Sequence, residues 1–132
     1  MLQSVHAILL LNKLFVLQLR DNIPTIPAPG KWSLFGGKIN AYETPRSAIE
    51  REIQEELLIT PPTYRFFWST EYFFKFQKVR GRIWFFIANA NSVWSEHKLK
   101  EGQMVKAFSF NDLPVSKMPS IMFRALKRFH RS

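Results

Sequence analysis

The sequence predicts one α+β domain in which a mixed β-sheet is covered by helices on both faces. Three observations predict it. Apolar, β-prone runs precede and follow a helical segment, and a second amphipathic helix closes the order, an alternation that favours a sheet layered with helices. The chain has 132 residues, which suits a single domain over 1–132. Its 46 % apolar and 15 % aromatic content excludes a disordered polymer. The absence of cysteine excludes a disulfide scaffold, a zinc–thiolate site and a thiol nucleophile.

The elements follow in chain order. Val5–Leu11 and Leu14–Leu19 are apolar runs split by Asn12-Lys13, the pattern of a hairpin. His6, Asn12, Lys13 and Gln18 interrupt this stretch. It therefore reads neither as a membrane span, which needs about 18 apolar residues, nor as a targeting segment. Residues 21–31, with Pro24, Pro27, Pro29 and Gly30, form a loop long enough to suggest a functional role. Trp32–Phe35 is extended and ends at a Gly36-Gly37 turn. Thr44 and Pro45 suit the N-cap and first position of a helix over Pro45–Leu57. Tyr64–Phe76 and Ile83–Ala90 are aromatic strands joined by a turn at Arg80-Gly81-Arg82. Val105–Phe110 is a further strand. From Pro119 onward, Met122, Ala125, Leu126 and Phe129 recur at i, i+3, i+4 and i+7, the stripe of an amphipathic helix.

Nineteen Lys and Arg against ten Asp and Glu give a net charge of +9, which points to a polyanionic partner. The carboxylates are unevenly spread. Glu43, Glu50, Glu52, Glu55 and Glu56 fall within fourteen residues, whereas Asp21, Glu71, Glu96, Glu101 and Asp112 are scattered. With Arg46 and Arg51 counted, segment 43–56 carries −3 and the remainder +12. On the helix, Ile49, Ile53 and Leu57 line one stripe, and Glu52, Glu55 and Glu56 converge on an adjacent face. Each like-charged i,i+4 pair costs a few tenths of a kcal/mol, and the dipole at the helix C-terminal end opposes Glu55 and Glu56. A solvated acidic face is the ordinary account of a Glu-rich helix. A hard divalent cation, Mg²⁺ or Mn²⁺, is the account that turns the crowding into a gain.

The run Gly37-(five residues)-Glu43-(seven residues)-Arg51-Glu52-Ile53-Gln54-Glu55-Glu56-Leu57-Leu58-Ile59 resembles the Nudix box, the signature of Nudix hydrolases. One constrained position departs, with Leu58 where the family has glycine. The approach Trp32-x-x-Phe35-Gly36-Gly37 and the later Lys100-Glu101-Gly102-Gln103 are also family-like. The resemblance implies an α/β/α sandwich and cleavage of a nucleoside diphosphate linked to another moiety. It implies that Glu52, Glu55, Glu56 and the Gly36 carbonyl bind Mg²⁺ or Mn²⁺. Arg51 and Glu43 would pair to hold the Gly37 loop on the helix. Glu101 matches a loop carboxylate that, in MutT-type members, assists the metals or accepts a proton. Lys117 stands where those members carry a base-reading asparagine; lysine donates but does not accept, so it cannot reproduce amide readout of a guanine edge.

Phosphoanhydride hydrolysis needs charge neutralisation and an activated water, and metal ions supply both; Glu55 and Glu56 are expected to hold the metals, and Glu52 or Glu101 to accept the proton. Lys38 and Arg20 are candidates for phosphate contacts, and Trp32 for stacking a base. Leu58 brings no chelating atom; it either adopts a left-handed helix end at a cost of about 1 kcal/mol or changes the shape of that end. The rival reading is a non-catalytic nucleotide- or RNA-binding module on the same fold. Arg124, Lys127, Arg128 and Arg131 on the last helix support it, as do Lys75, Lys78, Arg80 and Arg82 around the strand turn. The expected partner is a small-molecule nucleotide, with a phosphorylated RNA end kept on the substrate list. No membrane partner is expected, the location expected is cytoplasmic, and monomer and homodimer both remain open. His6, His97 and His130 show no ligand spacing and receive no role.

Overall fold

A computed structural model describes residues 1–132. Strands β1 (Leu2–Leu11) and β2 (Leu14–Leu19) form the opening hairpin. Leu11 pairs Leu14 across a two-residue loop whose residues both have positive φ, Asn12 at 50° and Lys13 at 69°. That is the backbone of the hairpin turn whose twist matches right-twisted strands. The two strands pair only near this turn. Further on they part, and β3 (Trp32–Ser33) and β4 (Phe35–Lys38) fill the wedge, β3 on β2 and β4 on β1. The other edge of β1 pairs in parallel with β6 (Val79–Asn89), from Leu2–Gly81 to Leu10–Asn89. β5 (Arg65–Phe74) is antiparallel to β6, and β7 (Met104–Phe108) is antiparallel to β2.

The sheet is buried on both sides. Val5, Ala7 and Leu9 of β1 pack with Ala48, Ile49, Ile53 and Leu57 of helix α1 (Pro45–Leu57). Ile8, on the opposite face, packs with Ile121, Met122, Ala125 and Leu126 of helix α2 (Ser120–Arg131). A strand covered on both faces reads as a continuous apolar run, which is how Ala7–Leu11 reads. The architecture is the predicted α/β/α sandwich with a mixed sheet.

Helix α1 begins as its residues dictate. The Thr44 hydroxyl accepts from the Ser47 amide at 3.1 Å, the Ser47 hydroxyl accepts from the Thr44 amide at 3.0 Å, and Pro45 takes the first position. At the other end Leu58 keeps the left-handed conformation, φ 55° and ψ 34°, and its amide donates to Gln54 at 3.0 Å. Of the two outcomes open to Leu58, the chain adopts the strained backbone. The carbonyls that a helix end leaves free are used by the following loop: Lys98 N–H donates to Leu57 and Lys100 N–H to Glu56, both at 2.9 Å. These bonds bring residues 97–103 beside the acidic end of α1.

Three boundaries differ from expectation. The turn falls at residues 75–78, where the Lys78 amide donates to Phe74 at 2.7 Å, and Arg80, Gly81 and Arg82 belong to β6. Gly81 is there because β1 passes so close that a Cβ would lie 1.8 Å from the Leu2 carbonyl oxygen. Gly36 and Gly37 are likewise inside strand β4, paired with His6 and Val5, rather than forming a turn. Val105–Phe110 ends as a strand at Phe108, and Phe110–Asp112 is a 3₁₀ turn. In each case cross-strand pairing, which local sequence does not encode, fixed the boundary.

Candidate active site

Arg51 is the hub of the acidic helix. Its Nε donates to Glu43 Oε2 at 2.6 Å and its Nη2 to Glu43 Oε1 at 2.9 Å, a two-pronged pair. Nη2 also donates to the Lys38 carbonyl at 3.0 Å. Nη1 reaches Glu52 at 2.9 Å and Glu55 at 3.2 Å. Glu43 in turn accepts from the Asn40 amide at 2.8 Å. One guanidinium thus ties the 38–43 loop to α1. The Arg51 hydrogen bond, with help from Asn40, holds the Glu43 carboxyl below the usual carboxylate range.

Glu52 and Glu56 form the buried pair. Glu56 is only 2 % exposed. Burial raises its pKa strongly, the Glu52 carboxylate raises it further, and the charge of Glu101 adds to this. The Gly36 backbone amide works in the opposite direction on the same carboxyl. Burial raises Glu52 as well, against the lowering effect of Arg51. Glu52 lies directly on the β4 backbone: a Cβ at Gly37 would sit 2.6 Å from its Oε1. Any larger residue at Gly37 would have to push that carboxylate out of its place.

These residues fit a hard divalent ion. Glu56 Oε2 is a buried oxygen with no hydrogen-bond partner. An unpaired buried acceptor beside a second carboxylate is costly unless a cation or proton satisfies it. Glu55 stands apart, with its side chain 56 % exposed and turned to Arg51. No three Asp, Glu or His side chains gather closely enough to enclose an ion by themselves. Water, main-chain or phosphate oxygens would complete a shell around the Glu52–Glu56 pair, as is usual for Mg²⁺.

The other expected site residues divide. Arg20 and Glu101 line one cleft of about 330 Å³, together with Gln18, Asp21, Ile26 and Gly102. Arg20 Nε donates to the Pro27 carbonyl at 2.8 Å, and Gln103 donates to the Arg20 carbonyl at 2.9 Å. The 21–31 and 97–103 loops thus meet at Arg20. Lys38 is exposed at the end of β4, and only its carbonyl is engaged. Trp32 packs edge-on against Phe108 at 5.1 Å, on the α2 face. Lys117 is exposed on the 115–117 turn and does not line the Arg20–Glu101 cleft.

Two polar residues of β1, on the face of the sheet away from α1, went unassigned in the sequence. His6 lies opposite Gly36 in the β1–β4 pairing. Burial, then the charge of Arg20, pushes its imidazole pKa down to about 3, so the ring is neutral. Its Nδ1 has no hydrogen-bond partner, and neither does the Ser4 hydroxyl two residues before it. The only sequence signal for them was two polar residues in an apolar strand. Strand spacing places them on one face, but the identity of that face comes from the sheet.

Comparison with known proteins agrees with this architecture. The family model described as NUDIX domain matches residues 1–129. The 8-oxo-dGTP diphosphatase of Escherichia coli (strain K12) is 39 % identical over 70 residues, covering 52 % of this chain and 50 % of that protein. The match thus spans about half the length of that relative. A crystal structure of a MutT NUDIX hydrolase from Burkholderia pseudomallei superposes with a TM-score of 0.81 at 22 % identity, covering 96 % of this chain and 95 % of that one. A MutT protein from Methanosarcina mazei Go1 gives 0.78 at 23 % identity, covering 98 % and 93 %. These two likenesses speak for the fold. The match to the family model over nearly the whole chain, on a helix that carries the box glutamates beside the Arg51–Glu43 clamp, establishes that the protein belongs to the NUDIX domain family.

Proposed function

We propose that this chain is a pyrophosphohydrolase that cleaves a phosphoanhydride in a nucleoside diphosphate-linked substrate, with Mg²⁺ or Mn²⁺ as cofactor. The observation that carries this reading is the buried Glu52–Glu56 pair with its unpartnered Glu56 oxygen. Glu52 and Glu56 would hold the metal, with the Gly36 carbonyl and Glu55 as further donors. Bound there, the ion would neutralise phosphate oxygens and lower the pKa of a bound water. Arg51 keeps Glu52 oriented and Glu43 keeps Arg51 oriented, so the pair meets substrate preorganised. Glu101, which lines the same cleft as Arg20, is a candidate proton acceptor, and Arg20 is a candidate phosphate contact. The curated relative named as an 8-oxo-dGTP diphosphatase supports a nucleoside triphosphate as the first substrate class to try. Lys117, which the resemblance sets where MutT-type members read the base, lies outside the Arg20–Glu101 cleft, so the base is left to the substrate panel.

The test is turnover of nucleoside triphosphates, nucleotide sugars, dinucleoside polyphosphates and capped RNA with Mg²⁺ or Mn²⁺, read as nucleoside monophosphate released. Glu56→Gln and Glu55→Gln are expected to lower turnover by roughly 10²–10⁴-fold with the fold retained. Near-wild-type turnover in both variants would remove the metal assignment. No turnover of any substrate by the wild-type protein would favour a nucleotide-binding module instead.

A further inference from the structure

A second cleft, of about 450 Å³, lies on the α2 face of the sheet. It is lined by Phe67 and Trp68 of β5 and by Arg124, Lys127, Arg128 and Arg131 of α2. It is on the opposite side of the sheet from α1, and β5 is at the opposite end of the strand order from β2. It is therefore separate from the Glu52–Glu56 site.

The four cations follow i, i+3, i+4 and i+7 spacing along one stripe. Two like-charged i,i+4 pairs oppose the helix. The helix dipole accounts for Arg128 and Arg131 in the last turn, but Arg124 and Lys127 lie before it. None of the four has a carboxylate within ion-pair distance, because every ion pair in the chain belongs to Arg51. The Arg128 and Arg124 guanidiniums lie over the Trp68 ring at 4.4 and 5.7 Å, and Trp68 is stacked on Phe85 at 5.6 Å. Both guanidiniums thus sit over an aromatic ring while their charge remains unneutralised.

We propose that this groove binds the backbone of a single-stranded nucleic acid. Cations in a row match successive phosphates, a contact that any sequence can make. An anionic membrane surface fits less well. Insertion needs apolar side chains projecting past the charges, whereas Phe67 and Trp68 lie beneath them. The binding is independent of the reaction at α1.

The experiment is fluorescence anisotropy of labelled single-stranded oligonucleotides of about twelve nucleotides with the whole protein, across roughly 50 to 200 mM salt. Four phosphate contacts predict a log–log salt slope near −2.8 for a single strand, at about −0.7 per contact. The double variant Arg124→Ala, Arg128→Ala is expected to halve that slope to about −1.4 while nucleotide turnover stays unchanged. Arg124→Lys with Arg128→Lys is expected to keep the slope. If the alanine variant does not melt like the wild type, Lys127→Ala with Arg131→Ala carries the same prediction. The proposal is overturned if the wild type does not bind the strand at the lowest salt. It is also overturned if the slope is the same with and without the arginines, or if phosphatidylglycerol vesicles bind and oligonucleotides do not.

Discussion

Arg51 binds Glu43 with two donors and still reaches Glu52, Glu55 and the Lys38 carbonyl, which no lysine could do from a single ammonium. Beneath this clamp, the Glu56 carboxyl is almost wholly removed from water. Its pKa is raised from 4.5, chiefly by burial. A carboxyl raised in the folded state contributes most below its unfolded pKa and loses that contribution as pH rises toward the folded value. Glu56→Gln is therefore expected to melt with the wild type near pH 4 and above it at pH 8 in chelator, even as it loses turnover. Thermal melts across that range check the sign, and equal melting temperatures at pH 8 would refute it. The glutamates were legible in the sequence because helical spacing is local. Which of them would be buried was not, because that depends on β4 lying against α1.

At the scale of elements, α1 shows both sides of local coding. Its start is written in Thr44, Pro45 and Ser47, and the structure uses all three. Its end is a compromise, with Leu58 in a left-handed conformation and its side chain 39 % exposed. Most of that residue is still covered, so Leu58→Gly sheds apolar burial while relieving the left-handed strain, and is expected to be about 1 kcal/mol more stable than Leu58→Ala. Leu58→Ala keeps the Cβ clash. Urea unfolding of the two variants distinguishes them. The β5–β6 hairpin is the counterexample. Gly81 looked like a turn residue because glycine commonly serves turns. It is a strand residue whose missing Cβ lets the Leu2 backbone approach, a requirement set eighty residues away.

For the whole molecule, the charge is divided between sites rather than spread evenly. The −3 segment around α1 sits in a +12 remainder, and part of that remainder is the α2 stripe on the other face. A polyphosphate is therefore drawn by the basic surroundings toward a site whose own carboxylates need a cation. kcat/KM for a nucleoside triphosphate is expected to fall as ionic strength rises from about 0.05 to 0.5 M, with kcat changing little. A flat profile would show that steering contributes nothing. No helix of the chain is long and apolar enough to cross a membrane.

The sequence by itself determined the opening hairpin, both helices, the presence of Glu52, Glu55 and Glu56 on the first of them, and the family. These depend on neighbours a few residues apart, where spacing and capping chemistry act. The tertiary structure decided what depends on distant neighbours: the placement of Gly36, Gly37 and Gly81 inside strands, the burial of Glu56 against β4, the meeting of Arg20 with the Glu101 loop, and the joining of Trp68 to the α2 arginines. Cross-strand register and burial are properties of the assembled sheet, and no local pattern carries them.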